Sequence, residues 1–150
     1  MIILTRTFSA VLDRIRRIIG TGAVSEVILN EMGKSAGKVA YEHLKATMGE
    51  AFIREQLSEL INLYTTAGWG LATISELNFE RKHAVVRFER NFECQPHKDA
   101  ESKPYSHFVR GDLSGWFGEI FGSPVRCIET ACIAKGDKFC EFSINVEQAV

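Results

Sequence analysis

The chain has 150 residues, a formal net charge of −1, 45% hydrophobic residues and 25% charged ones. That is the composition of a single soluble globular domain, read here as residues 1–150. A near-zero charge gives no electrostatic footprint for nucleic acid, no apolar run is long enough to span a bilayer, and four cysteines are too few for a secreted disulfide scaffold of this length.

The opening stretch, MIILTRTFSAVLDRIRRIIG, places its arginines after the apolar residues and is interrupted by Asp13, the reverse of a signal peptide. A cytoplasmic location is expected, where paired thiols serve as reduced cysteines or metal ligands. Ser9 to Ile19 has helical spacing, with Ser9 as N-cap and Gly20 as stop. Val11, Leu12, Ile15, Ile18 and Ile19 make an apolar face, and Arg14, Arg16 and Arg17 a solvated one.

A second helix is predicted from Val24 to Met48. Gly33 and Gly37, four apart and flanked by Ala36 and Ala40, form a stripe of small residues where another backbone can come close. Glu31, Lys34 and Lys38 exclude a membrane setting for it. Glu50 to Thr66 reads as a third helix, with Phe52, Ile53, Leu57, Leu60, Ile61 and Tyr64 facing inward and Gly68-Trp69-Gly70 ending it. The period then changes to alternation, giving two antiparallel strands joined near Glu80–Lys82.

Residues 96–104 are a polar loop. A fourth helix follows, with glycines again four apart at Gly111 and Gly115 and a stop at Gly122. PVRCIETACIA and KFCEFSINV supply the last two strands. The order predicts an α+β fold: an antiparallel sheet with helices packed on it.

No catalytic constellation stands out. There is no nucleophile elbow, no phosphate loop and no dinucleotide fingerprint, and so no visible hydride source. Arg110-Gly111-Asp112 lies on a predicted helix and reads as a chance match to an adhesion tripeptide.

Cys132 and Cys140 are symmetric about Gly136. In a hairpin turning there, their Cβ atoms would lie roughly 4.5–5.5 Å apart, and two thiolates at that spacing can share a tetrahedral ion. Glu129 differs from Cys132 in strand parity and reaches the same ion only if a bulge lies between them. Three readings of the pair stand: buried unliganded thiols, a metal site, or a redox pair, the last without the usual C-x-x-C spacing. As fourth ligand, His107 at the start of the fourth helix is the candidate, against a plain hydrogen-bonded role. Cys127 is placed on the wrong side, and His83 and His97 lie in polar stretches. Tyr64, Trp69, Tyr105, Phe108, Trp116, Phe117 and Ile120 are either core or the wall of an apolar pocket.

The segment from Ser106 to Ile144 resembles the 4-vinyl-reductase domain family. The match rests on Gly111-x-x-x-Gly115, Phe121-Gly122, Glu129-x-x-Cys132, Lys135-Gly136-Asp137 and Cys140-x-Phe142. Gly33-x-x-x-Gly37 is similar to the family's N-terminal half, so the resemblance extends over roughly residues 20–146. It implies a fold related to Golgi transport-particle subunits and haem nitric-oxide sensors. It also implies small-molecule binding, as in the phenol-responsive domains of bacterial activators or in proteins that bind hydrocarbons.

In the phenol sensors zinc is held by one cysteine before the glycine helix, a glutamate and two cysteines. Glu129, Cys132 and Cys140 fall on the last three, while Ser106 occupies the first. The expectation is therefore a sensor or carrier domain for a small apolar or aromatic ligand, with a structural zinc on Glu129, Cys132, Cys140 and His107. A homodimer is expected. The alternatives are an enzyme or subunit reducing a tetrapyrrole vinyl group, and an assembly module that dimerises through its small-residue stripes.

Overall fold

Nothing in the first eight residues stops a helix: no proline or glycine precedes Gly20. Helix α1 accordingly runs Ile2–Ile19 in the computed structural model, which describes residues 2–20 and 22–147. Ser9 is thus an interior residue of α1 and not its N-cap. The expected division of faces is also corrected. Leu12 is buried, but Val11 and Ile18 are exposed, and Arg16 is buried at 4% exposure. The reason lies 77 residues away, in the carboxylate of Glu93, to which the Arg16 guanidinium donates.

Helix α2 spans Ala23–Met48. The third predicted helix is broken into α3 (Glu50–Glu55), α4 (Leu57–Leu60) and α5 (Asn62–Thr66). The breaks keep Ile53, Leu57, Ile61 and Tyr64 on the core side, while Phe52 is exposed. Strands β1 (Leu71–Asn78) and β2 (His83–Glu89) form the first hairpin. A short 3₁₀ turn at Gln95–His97 follows, then α6 (His107–Phe121), β3 (Val125–Ala131) and β4 (Cys140–Val146).

The four strands form one antiparallel sheet in the order β1-β2-β4-β3. Its inner face comes from alternate residues: Ala84, Val86 and Phe88 of β2 lie opposite Ile144, Phe142 and Cys140 of β4, and all six are buried. Helix α6 packs on this face and α2 packs on α6. Being a middle layer, α6 is buried almost all round, and its sequence is correspondingly apolar on every side.

The two glycine stripes explain how α2 and α6 come so close. A Cβ on Gly33 would collide with the carbonyl of Phe108, one on Gly37 with that of Asp112, one on Gly111 with that of Asn30, and one on Gly115 with that of Lys34. Both stripes are consumed by this contact within the chain and offer no surface to a second copy. Among the described residues, no helix is long and apolar enough to cross a membrane.

Candidate metal centre and ligand cavity

The β2–α6 connection does not behave as an ordinary polar loop. Asn91, Phe92, Glu93 and Cys94 are all buried. The Asn91 side chain accepts from the Glu93 amide at 3.0 Å and donates to the Ser106 hydroxyl at 3.0 Å, which turns the chain inward. Glu93 then caps α6, accepting from the amides of Phe108 at 3.1 Å and Val109 at 3.0 Å. A carboxylate is well placed at these otherwise unpaired N–H groups. Burial raises the Glu93 pKa, and Arg16 with the two amides works against that rise.

These bonds leave the Cys94 thiol beside the terminal hairpin. The β3–β4 register shifts between Glu129 and Ala131, which is the bulge that parity demands if Glu129 and Cys132 are to face one point. Cys132 lies just beyond β3 and is not the cross-strand partner of Cys140, as the simple hairpin had it. Cys140 pairs instead with Phe88. A 3₁₀ turn at Ile133–Lys135 and Gly136, at φ +100°, close the connection, and the Asp137 carboxylate accepts from the Cys132 amide at 2.8 Å.

The result is a cluster of Cys94, Glu129, Cys132 and Cys140, all buried, with ligand atoms within 4.8 Å of one another. Ser106 sits among them. Its amide donates to Glu129 Oε2 at 3.0 Å and its hydroxyl to Oε1 at 2.6 Å, and that hydroxyl lies 2.9 Å from the Cys94 sulfur. Ser106 thus orients the glutamate, while the sulfur that its position lacks arrives from Cys94 on another segment.

The protonation pattern suits a site that awaits a cation. Thiols of Cys140 and Cys94 donating to Cys132 push its pKa down, so Cys132 is the thiolate of the group. The donation leaves Cys94 and Cys140 raised and protonated. Burial, then the Cys132 charge, lifts Glu129 to about 8. A divalent ion would displace those protons and draw all four groups into their anionic forms. Three sulfurs and one carboxylate make a set that suits zinc and not calcium or magnesium.

His107, the fourth ligand expected from sequence, lies outside this set. Its Nδ1 is 3.4 Å from the Arg110 guanidinium, and burial, Arg110 and Arg16 hold its pKa down at about 4. Cys127 also lies outside the set. Sequence reasoning missed Cys94 because nothing local marks it. The one available signal was that the chain holds a cysteine to spare while Ser106 lacks a thiol.

The aromatic residues divide as well. Tyr64, Trp69 and Trp116 line a cavity of about 400 Å³ between α2, α5 and α6, together with Ala36, Ala40, Leu44, Ala67 and Asp112. Phe108, Phe117 and Ile120 are buried core. Tyr105 stands elsewhere, beneath the Arg16 guanidinium at 4.0 Å. Asp112, which the sequence offered only as part of a chance tripeptide, is 3% exposed and accepts a short hydrogen bond from the Tyr64 hydroxyl. Burial lifts its pKa to about 7, with Tyr64 opposing the rise. A larger hollow of about 480 Å³ lies beside α1, but its charged groups, Arg6 and Arg90, are exposed.

Residues 84–146 match the model of the 4-vinyl-reductase domain. The chain carries a 4-vinyl-reductase domain. The matched region contains all four cluster residues together with Ser106 and Asp112, whereas Tyr64 and Trp69 precede it. A stretch of 44 residues, 29% of the chain, is 39% identical to an uncharacterised protein of Methanocaldococcus jannaschii and spans 27% of that protein.

Three solved structures share the fold of this 4-vinyl-reductase-domain protein. The phenol-responsive sensory domain of the transcription activator PoxR, solved with phenol, superposes with a TM-score of 0.78 at 18% identity, over 97% of this chain and 76% of that one. A trafficking protein particle complex subunit 3 from Naegleria fowleri, covalently bound to palmitic acid, gives 0.66 at 14% identity, over 97% and 96%. A vinyl-4-reductase family protein from M. jannaschii gives 0.57 at 19%, over 80% and 68%. At these identities the likeness is one of fold.

Proposed function

We propose that this 4-vinyl-reductase-domain protein is a small-molecule binding domain of the sensor or carrier kind. Its ligand cavity lies between α2, α5 and α6, and a zinc clasp lies near the start of α6. The observation that carries the reading is the cavity itself. Three aromatic side chains and small aliphatic ones surround a single buried polar pair, Tyr64 and Asp112. Ligand sites are typically of this kind, mostly apolar with a few placed polar groups. The fold shared with a phenol-binding sensory domain and a palmitate-bound subunit supports the reading.

Cys94, Glu129, Cys132 and Cys140 would hold the zinc. With four protein donors no position is left open, so the metal would supply a cross-link and no reaction. The clasp would tie the β2–α6 connection to the terminal hairpin, and Ser106 at the start of α6 would keep Glu129 aligned. A ligand pressing on α6 would then work against a fixed end.

Two measurements test the proposal. Metal analysis of the purified chain should find one zinc per molecule, removed by a strong chelator with a drop in Tm and absent in Cys94→Ser. A chain that neither carries zinc nor takes it up has no clasp. A thermal-shift screen of small aromatic and aliphatic compounds should raise Tm by mass action at concentrations well above Kd. If no compound does so, the binding reading is lost.

A further inference from the structure

The cavity also says what charge its guest carries. Asp112 Oδ2 accepts from the Tyr64 hydroxyl, and among the described residues this is the only hydrogen bond its carboxyl makes. No arginine, lysine or histidine acts on it: burial and Tyr64 are the sole influences on its ionisation. The titratable groups lining the cavity with it are Tyr64 of α5 and the exposed His43 of α2, and no strand residue lines it. Glu93, buried to a similar degree against the N-terminus of the same helix, has Arg16 as counter-ion and two backbone amides besides. Asp112 has a free acceptor and a charge with nothing to balance it.

Resting on the reading that this cavity binds a small ligand, we infer that the ligand is an organic cation, an aryl- or arylalkyl-ammonium whose ammonium group pairs with Asp112 among the rings of Tyr64, Trp69 and Trp116. The rings favour this guest. Tyr64 stands with its centroid 5.3 Å from that of Trp69 and 6.0 Å from that of Trp116, so three π systems border the same space as the carboxyl. Aromatic faces attract a cation, and more strongly where water is excluded. A volume of about 400 Å³ lies in the range of small-ligand sites. A neutral alcohol could use the free acceptor but would leave the carboxylate uncompensated, and an anion would be repelled.

The test is isothermal titration of the full chain with three probes of similar shape: 2-phenylethylamine, 2-phenylethanol and 3-phenylpropionate. At pH 8 the amine should bind at least tenfold more tightly than the alcohol, and the carboxylate should not bind. Near pH 7, titration in buffers of different ionisation heat should show proton release as the cation displaces the proton of Asp112. Asp112→Asn should abolish the preference for amine over alcohol while leaving alcohol binding in place. Tyr64→Phe, which keeps the carboxyl, should preserve the preference. If the alcohol binds as tightly as the amine to the wild type, or the amine binds without releasing a proton, the cation assignment is overturned while the cavity stands as a binding site. If none of the probes binds, and the broader screen of compounds is silent as well, the parent reading falls with it.

Discussion

Glu93 and Asp112 are two carboxyls buried against the same helix, and they are held in opposite ways. Glu93 is 1% exposed and is met by a guanidinium and two amides of the α6 N-terminus. Asp112 is 3% exposed and is met by one phenol hydroxyl. Where every lone pair has a partner the carboxyl is architecture: it turns the β2–α6 connection inward, anchors α1 and delivers Cys94 to the cluster. Where partners are missing beside an open cavity the carboxyl is available to something from outside. Burial raises the pKa of both, so the shift alone does not separate the two roles; the inventory of partners does.

The largest effect expected follows from breaking the compensated pair. Arg16→Met would leave the Glu93 charge buried without its counter-ion, a situation that typically costs about 3–5 kcal/mol. Urea denaturation should show it, and the additional change Glu93→Leu should restore part of the loss. A cost within experimental error for Arg16→Met would mean that Glu93 does not depend on its partner, and the contrast with Asp112 would collapse.

Next in size is the pH dependence that belongs to Asp112. Its folded pKa, about 7, lies above the ordinary 3.8, so folding favours the protonated form. The stability this lends is fully present below about pH 4 and is lost as pH rises through about 7. A separation of roughly three units corresponds to about 4 kcal/mol. Asp112→Asn cannot ionise, so its stability relative to wild type should climb between about pH 4 and about pH 8. Parallel profiles for the two proteins would show that Asp112 is not an uncompensated buried acid.

A smaller effect is expected from the spacing that sets the depth of Asp112. Gly37→Ala puts a methyl group into the Asp112 carbonyl, which should separate α2 from α6 at a cost of about 1–3 kcal/mol and weaken ligand binding along with stability. Smallest is Gly118→Ala on the same helix α6, where the nearest atom to an added Cβ is 3.7 Å away. There the helix should gain up to about 1 kcal/mol and binding should not change. Equal responses at the two glycines, measured by thermal denaturation, would remove the claim that close helix approach positions the carboxyl.

Much of this arrangement could be read from local pattern. The alternation of Ala84, Val86 and Phe88 and of Cys140, Phe142 and Ile144 identifies two strands and their inner face before any coordinates are known, because strand periodicity is enforced residue by residue. The paired glycines at 33/37 and 111/115 announce a close helix crossing, although not that the two stripes would meet each other. The parity of Glu129 and Cys132 calls for an irregular strand, and the register shifts where it must.

The continuous helix expected over Glu50–Thr66 is in fact three short ones, and α1 begins seven residues before its expected cap. Boundaries of this kind depend on competition with tertiary contacts, and propensity is a weak guide to them.

The sequence by itself determined the class of fold, the strand faces, the glycine stripes and three members of the sulfur cluster, since each is written within a few residues or in one repeating period. Only the tertiary structure decided the rest: Arg16 turned inward to Glu93, Cys94 in the place where Ser106 lacks a sulfur, and Asp112 as the polar floor of an aromatic cavity. The contacts involved, Arg16 to Glu93, Cys94 to Cys132 and Tyr64 to Asp112, join residues 77, 38 and 48 positions apart. A buried polar group is defined by what reaches it in space, and no periodicity along the chain encodes which distant side chain arrives, or that none does.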